Sequence, residues 1–142
     1  MGNALNGDDA AGVRVAQSLL RRERAGKFPR PVLILEAGLA PENVTGAVRR
    51  FAPDLVILVD AAEMGEAPGT IRWLDWQETT GVTGATHALP PSMVAQYLVS
   101  ELGCTVALIG IQRQDNSFGC PLTAPVRRAV HTVSQALADL LA

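Results

Sequence analysis

The chain has 142 residues, the length of one domain, and is 48% hydrophobic, 18% charged and only 4% aromatic. This excludes a disordered tail and gives a core of Val, Leu, Ile and Ala suited to an α/β fold. Its 12 basic and 14 acidic residues, with 2 histidines, leave a net charge of -2 and no basic run longer than Arg21-Arg22 or Arg49-Arg50, which argues against nucleic acid as a partner.

No apolar segment approaches the ~18–20 residues of a membrane span, and the start lacks a charged region followed by an apolar stretch, so the chain reads as cytoplasmic. Cys104 and Cys120 form neither a disulfide framework nor a zinc spacing and are expected to be buried thiols.

In chain order, residues 9–24 carry Val13, Ala16, Leu19 and Leu20 on one helical stripe, and Gly26 can end that helix. Val32–Leu35 and Leu55–Val59 are apolar on both faces, as central strands of a parallel sheet are. Between them Val44, Ala47, Val48 and Phe51 have helical spacing, so 32–60 reads as one βαβ unit. Thr70–Leu74 is a shorter, more exposed strand after the Pro68-Gly69 turn, and Thr79–Thr86 reads as a mobile loop. A helix opens at Pro90-Pro91-Ser92 with Met93, Val94, Tyr97, Leu98 and Leu102 on its stripe. Thr105–Ile111 is a third buried strand, and a helix from about Thr123 to Leu141 turns Val126, Val130, Val133, Leu137 and Leu140 inward. The loop Gly2–Asp9 leads into a helix as a βα loop does, yet only Met1 stands where an incoming strand belongs.

Ligands of an open parallel sheet bind beyond the carboxyl ends of its strands, which gives Asp60, after Leu55–Val59, first claim on function. A lone Asp there is more often a turn or cap residue, and Asp8 and Asp9 at a helix start suit capping and the helix dipole. In combination they carry more: Asp9, Asp60 and His87, which stands in a Thr-His loop before a helix, make a three-donor set for a borderline divalent ion with open positions for water or substrate. His87 alone is as well explained by a bond to a backbone carbonyl, and His131, inside the last helix, as a residue at the core boundary.

Other schemes lack their residues. There is no His-Glu-x-x-His, no Gly-x-Ser-x-Gly and no phosphate-cradling glycine pattern, and neither cysteine has an adjacent base. Glu36, Glu42 and Glu63 near strand ends and helix starts read as solvated or capping carboxylates.

Several blocks in order, Gly2-Asn3-Ala4-Leu5-Asn6-Gly7-Asp8-Asp9, Glu36–Asn43, Val59-Asp60-Ala61-Ala62-Glu63-Met64-Gly65, Pro68-Gly69, Thr86-His87 and Leu108–Gln112, resemble the nickel-iron hydrogenase maturation endopeptidases, most closely the hydrogenase 3 (formate hydrogenlyase) type. The resemblance spans nearly the whole chain. It implies a single peptidase domain over residues 1–142, a three-layer helix-sheet-helix sandwich around a mostly parallel sheet, with the family's N-terminal strand missing. It further implies an aspartic-type endopeptidase that removes a short C-terminal extension from the precursor of a hydrogenase large subunit after nickel insertion. Nickel, supplied by the substrate, serves in recognition, and Asp9, Asp60 and His87 are both the metal contacts and the catalytic groups. The expected partner is that precursor, with no nucleic acid or membrane and with the enzyme a monomer.

Two departures from the family pattern bear on the loop that carries Asp9. The missing strand suggests a start assigned several residues late. Ala10 stands where the family usually has Gly, and would cost about 1–2 kcal/mol if its φ were positive. The alternative reading is a non-catalytic, truncated relative that binds the precursor or a metal without cutting, and a small-molecule hydrolase is a third.

Overall fold

The computed structural model describes residues 1–78 and 89–142. In chain order its elements are α1 (Ala11–Arg24), α2 (Thr45–Phe51), β1 (Leu55–Ala62), β2 (Ile71–Leu74), α3 (Pro91–Leu102), β3 (Thr105–Gln112) and α4 (Ala124–Leu141), with short 3-10 turns at Gly7–Ala10 and Pro41–Val44 ahead of α1 and α2. The helix ends follow local chemistry. Three arginines in the last turn of α1 suit its negative pole, Pro91 opens α3, and Gly103 closes α3 in the left-handed conformation that a side chain disfavours.

The apolar runs of β1 and β3 pair in parallel along their whole length, from Leu55 opposite Thr105 to Ala62 opposite Gln112. β2 pairs antiparallel on the other side of β3, so the described sheet has the order β1-β3-β2 and is mixed. Because β1 and β3 are apolar on both faces, each face needs a cover. One face carries α1 and α4, whose Val15, Leu19, Val126, Val130 and Val133 pack on Val59, Ile109 and Ile111. The other carries α2 and α3, with Val48, Val94, Ala95 and Leu98 packed on Val106, Val56 and Leu58. These are the three layers expected. Among the described residues no helix is long and apolar enough to cross a membrane.

Several expectations are corrected. Val32–Leu35 is not a strand: residues 31–37 belong to no ladder, so the βαβ unit lacks its first paired strand. The cause is the absence of a neighbour: an apolar slot separates this segment from β1, and a strand is defined by the partner that takes its N–H and C=O groups. β1 runs on to Ala62, so Asp60 stands within the strand near its carboxyl end and does not close it. Ala10 has φ -76° and ψ -4°, right-handed values that carry no strain.

The inward stripes also shift. Val15 is buried in α1, while Met93, Tyr97 and Leu140 are exposed. In α4 the small side chains of Ala129, Ser134 and Ala138 take up buried positions, which lets α4 lie close against α1 and the sheet, while Leu140 is exposed. Cys104 is buried, with its Sγ 3.6 Å from the Leu98 carbonyl, but Cys120 is exposed. The loop expected at Thr79–Thr86 lies outside the described residues.

The revised stripe of α4 has a direct check. Leu137→Ala removes a buried side chain and is expected to lower the urea unfolding free energy by about 2–5 kcal/mol. Leu140→Ala, one turn on, is expected to change it by less than about 0.5 kcal/mol.

Candidate active site

The loop from Gly2 to Asp9 lies over the carboxyl end of β1, and its geometry depends on one glycine. Gly2 has φ +108°, and a Cβ there would overlap the Asp9 carbonyl and come within 3.6 Å of Asp60 Oδ1. Only a residue without a side chain fits against the Asp9 carbonyl in this conformation. Asp9 and Asp60, from sequence positions far apart, therefore both lie close to Gly2, Asp9 through its backbone carbonyl and Asp60 through its carboxylate.

Asp8 and Asp9 have different tasks. Asp8 is completely buried and accepts four hydrogen bonds: from the Gln114 and Asp115 N–H groups at 2.8 and 3.0 Å, and from the Thr123 N–H and hydroxyl at 2.7 and 2.9 Å. Its own N–H donates to the Asp115 carbonyl at 2.7 Å. It is a clamp that ties the first loop to residues 114–123. Asp9 accepts from the Asn3 N–H through Oδ2 at 2.8 Å, and among the described residues its Oδ1 has no hydrogen bond. One carboxylate is used up by the fold and the other keeps an oxygen for a ligand.

Asp60 Oδ1 accepts the Ala61 N–H at 3.0 Å. Burial, with the Asp9 carboxylate adding to it, pushes the Asp60 carboxyl up to about 6, against the opposing pull of the Met1 ammonium and of that N–H. A desolvated carboxylate near a second one favours a proton or a cation.

The structure brings together two of the three residues singled out from sequence, Asp9 and Asp60. His87 lies outside the described residues. Among the described residues no cluster of three or more His, Cys, Asp or Glu is placed to hold a metal. Two carboxylates alone fit a divalent ion only in part, so a bound ion would need further donors. His131 is exposed on α4, away from the core boundary expected for it.

Gln112 is a residue that sequence reasoning passed over. It ends β3, is 3% exposed, accepts the Met64 and Glu66 N–H groups at 2.7 and 3.2 Å, and donates to Glu63 Oε1 and the Arg113 carbonyl. It thereby holds the loop that follows β1. The available signal was a polar residue at the end of the run Val106–Ile111. Glu63, bonded first by Gln112 and then by the Gly65 N–H and Arg113, is held below the usual carboxylate range, so it serves this loop.

Residues 13–140 match the family model described as hydrogenase maturation protease. The chain belongs to the hydrogenase maturation protease family. It is 33% identical over 138 residues to the hydrogenase 3 maturation protease of Escherichia coli strain K12, across 96% of this chain and 85% of that one. The fold matches the NiFe hydrogenase maturation protease HycI of Thermococcus kodakarensis KOD1 with a TM-score of 0.81 at 33% identity, over 99% of this chain and 87% of that one. It matches the solution structure of the endopeptidase HycI from Escherichia coli with a TM-score of 0.82 at 34% identity, over 97% and 85%. As a member of this family the chain is an endopeptidase, and the site to be explained is one for peptide hydrolysis.

Two outcomes follow for the acids. Asp8→Ala strands its buried donors and is expected to cost about 3–5 kcal/mol in urea unfolding, whereas Asp9→Ala costs less than about 1 kcal/mol. The raised Asp60 carboxyl means that the metal-free folded state binds more protons than the unfolded chain between the ordinary carboxylate value of 3.8 and about 6. Its contribution is fully present below that window and is lost as pH rises through it, by about 2–3 kcal/mol. Asp60→Asn is expected to remove this slope and to raise metal-free stability at pH 7, read from urea melts at pH 4, 5, 6 and 7.

Proposed function

We propose that this chain removes a short C-terminal extension from the precursor of a nickel-iron hydrogenase large subunit after nickel insertion, and that Asp9, Asp60 and His87 contact the nickel that the substrate carries. The observation that supports this reading is the desolvated Asp60 carboxyl with the Asp9 carboxylate near enough to raise it further. Such a pair favours a cation, yet two carboxylates hold a free divalent ion poorly. Nickel already bound by substrate donors resolves both conditions.

Specificity follows from the same arrangement. A precursor without nickel has no anchor by which its scissile bond is positioned, so binding energy is realised only when metal and peptide arrive together. The reaction needs a water relieved of a proton at the peptide carbonyl. An Asp60 carboxyl poised at about 6 is matched near neutral pH to accept that proton whenever it is not itself engaged by the cation. Asn3 keeps Asp9 oriented through its backbone N–H, and the clamp of Asp8 holds the loop that presents both.

Mass spectrometry of a cognate precursor, nickel-loaded and nickel-free, tests the reading. Loss of a C-terminal peptide is expected from the loaded form alone, with Asp60→Asn and His87→Ala each lowering the rate by about 100-fold or more while circular dichroism shows both variants folded. Equal cleavage of the nickel-free precursor would sink the recognition scheme, and undiminished cleavage by the variants would remove these residues from it.

A further inference from the structure

The loop that carries Asp9 is one half of a two-loop platform. The Gly119 N–H donates to the Leu5 carbonyl at 2.8 Å, and the Asp8 N–H donates to the Asp115 carbonyl at 2.7 Å. Between these rungs Gly7, at φ +49°, packs so closely that a Cβ on it would overlap the Asp115 carbonyl and lie 3.3 Å from the Asn116 Cα. Only glycine permits that approach. The buried Asp8 carboxylate then ties down both ends of the second loop, at Gln114 and Asp115 and again at Thr123. The turn between those ends is braced by its own acid, since Asp115 Oδ1 accepts the Ser117 N–H at 2.9 Å and the Ser117 hydroxyl at 2.6 Å.

This platform presents two large apolar residues to solvent. Leu5 is 61% exposed, and Phe118 at 78% is the most exposed large apolar residue among those described. The bond from Gly119 to Leu5 sets their backbones side by side. A single exposed apolar residue is ordinary on a protein surface, and Leu140 on α4 is one.

The pair differs from such a residue in three respects. Hydrogen bonds hold its loops in place, so docking against it orders little backbone that is not ordered already. Its surroundings carry no charge, residues 3–7 being Asn-Ala-Leu-Asn-Gly and residues 116–121 Asn-Ser-Phe-Gly-Cys-Pro. It is also continuous with the acids of the site. The Leu5 N–H donates to Asn3 Oδ1 at 3.0 Å, and the Asn3 N–H donates to Asp9 Oδ2 at 2.8 Å, so one residue links Leu5 to the Asp9 carboxylate. The substrate of an endopeptidase is itself a protein, and the surface that borders the acids is covered by that protein when the scissile bond is in place. A second copy of this chain seated there would stand in its way.

We propose that Leu5 and Phe118 are the contacts by which this enzyme selects its protein substrate, docking on an uncharged, apolar patch of the hydrogenase precursor beside the bond to be cut. The proposal rests on the cleavage reading above and adds a second requirement to it. Nickel sets where the precursor lies over Asp9 and Asp60, and the apolar platform decides which protein is admitted. Phe118 carries the larger share, as aromatic anchors do at protein interfaces. Because the contact is made equally in the bound complex and in the transition state, it acts on KM and leaves kcat alone.

Cleavage of the nickel-loaded precursor, followed by mass spectrometry over a range of precursor concentrations, tests this in the wild-type chain and in Phe118→Ser, Phe118→Leu, Leu5→Ser and Leu140→Ser, with circular dichroism on each. Phe118→Ser is expected to raise KM at least about 10-fold and Leu5→Ser about threefold or more, with kcat within about twofold of wild type. Phe118→Leu keeps an apolar group in place and is expected to recover most of the loss. Leu140→Ser, similarly exposed but on α4, is expected to change neither constant. Phe118→Gln replaces the serine variant should that one not fold. An unchanged KM in the Phe118 variants overturns the proposal and leaves the cleavage reading standing. A fall in kcat alone also overturns it, since the platform would then only support Asp9. A wild-type dimer in sedimentation that Phe118→Ser dissociates assigns the surface to a second copy and overturns it as well. Absence of cleavage by the wild-type chain overturns the cleavage reading and this inference with it.

Discussion

Eight residues of β1 and eight of β3 pair in parallel, and the positions of both carboxyl-end loops follow from that register. Asp60 stands opposite Gly110 and Ala62 opposite Gln112, so the acid of the site and the amide that holds the next loop share one end of the sheet. Neither strand has a polar face, which is why helices lie on both sides and why access to Asp60 is confined to the end. A shift of one residue would turn Asp60 toward the opposite layer and bury its charge without Asp9.

The first loop completes that end through a division of labour between adjacent acids. Asp8 saturates four donors of a segment more than a hundred residues later and so fixes the loop. With the backbone fixed, Gly2 packs against the Asp9 carbonyl beside Asp60, whose carboxyl is raised by burial and further by the Asp9 carboxylate. Two neighbouring carboxylates, one of them desolvated, are unfavourable for the resting fold and favour a cationic or proton-donating ligand. Fold and function meet in this loop, which is held rigid by one acid so that its neighbour can remain underused.

Much of this was legible from residue spacing. The apolar runs Leu55–Val59 and Thr105–Ile111 announced the buried strands β1 and β3, the stripes of α1 and α4 announced helices, and Asp9 and Asp60 were singled out by their places at a helix start and near a strand end. What misled was partner-dependent. Val32–Leu35 has the composition of a strand but no ladder, because an apolar slot separates it from β1. Leu140 has the spacing of a core residue but is exposed on the last turn of α4, and Cys120 is apolar in character but lies in an exposed turn.

The amino-acid sequence by itself determined the type and order of the elements, the two-sided burial of β1 and β3, the three-layer class and the acids worth attention. Those properties depend on periodicity and composition within a few residues, where backbone geometry and apolar spacing decide. Only the tertiary structure decided which of Asp8 and Asp9 is consumed by the fold, that Gln112 braces the loop after β1, that 31–37 is unpaired and that Asp60 is desolvated. Each of these turns on donors, walls or charges supplied by residues distant in sequence, and no local pattern records which ones will arrive.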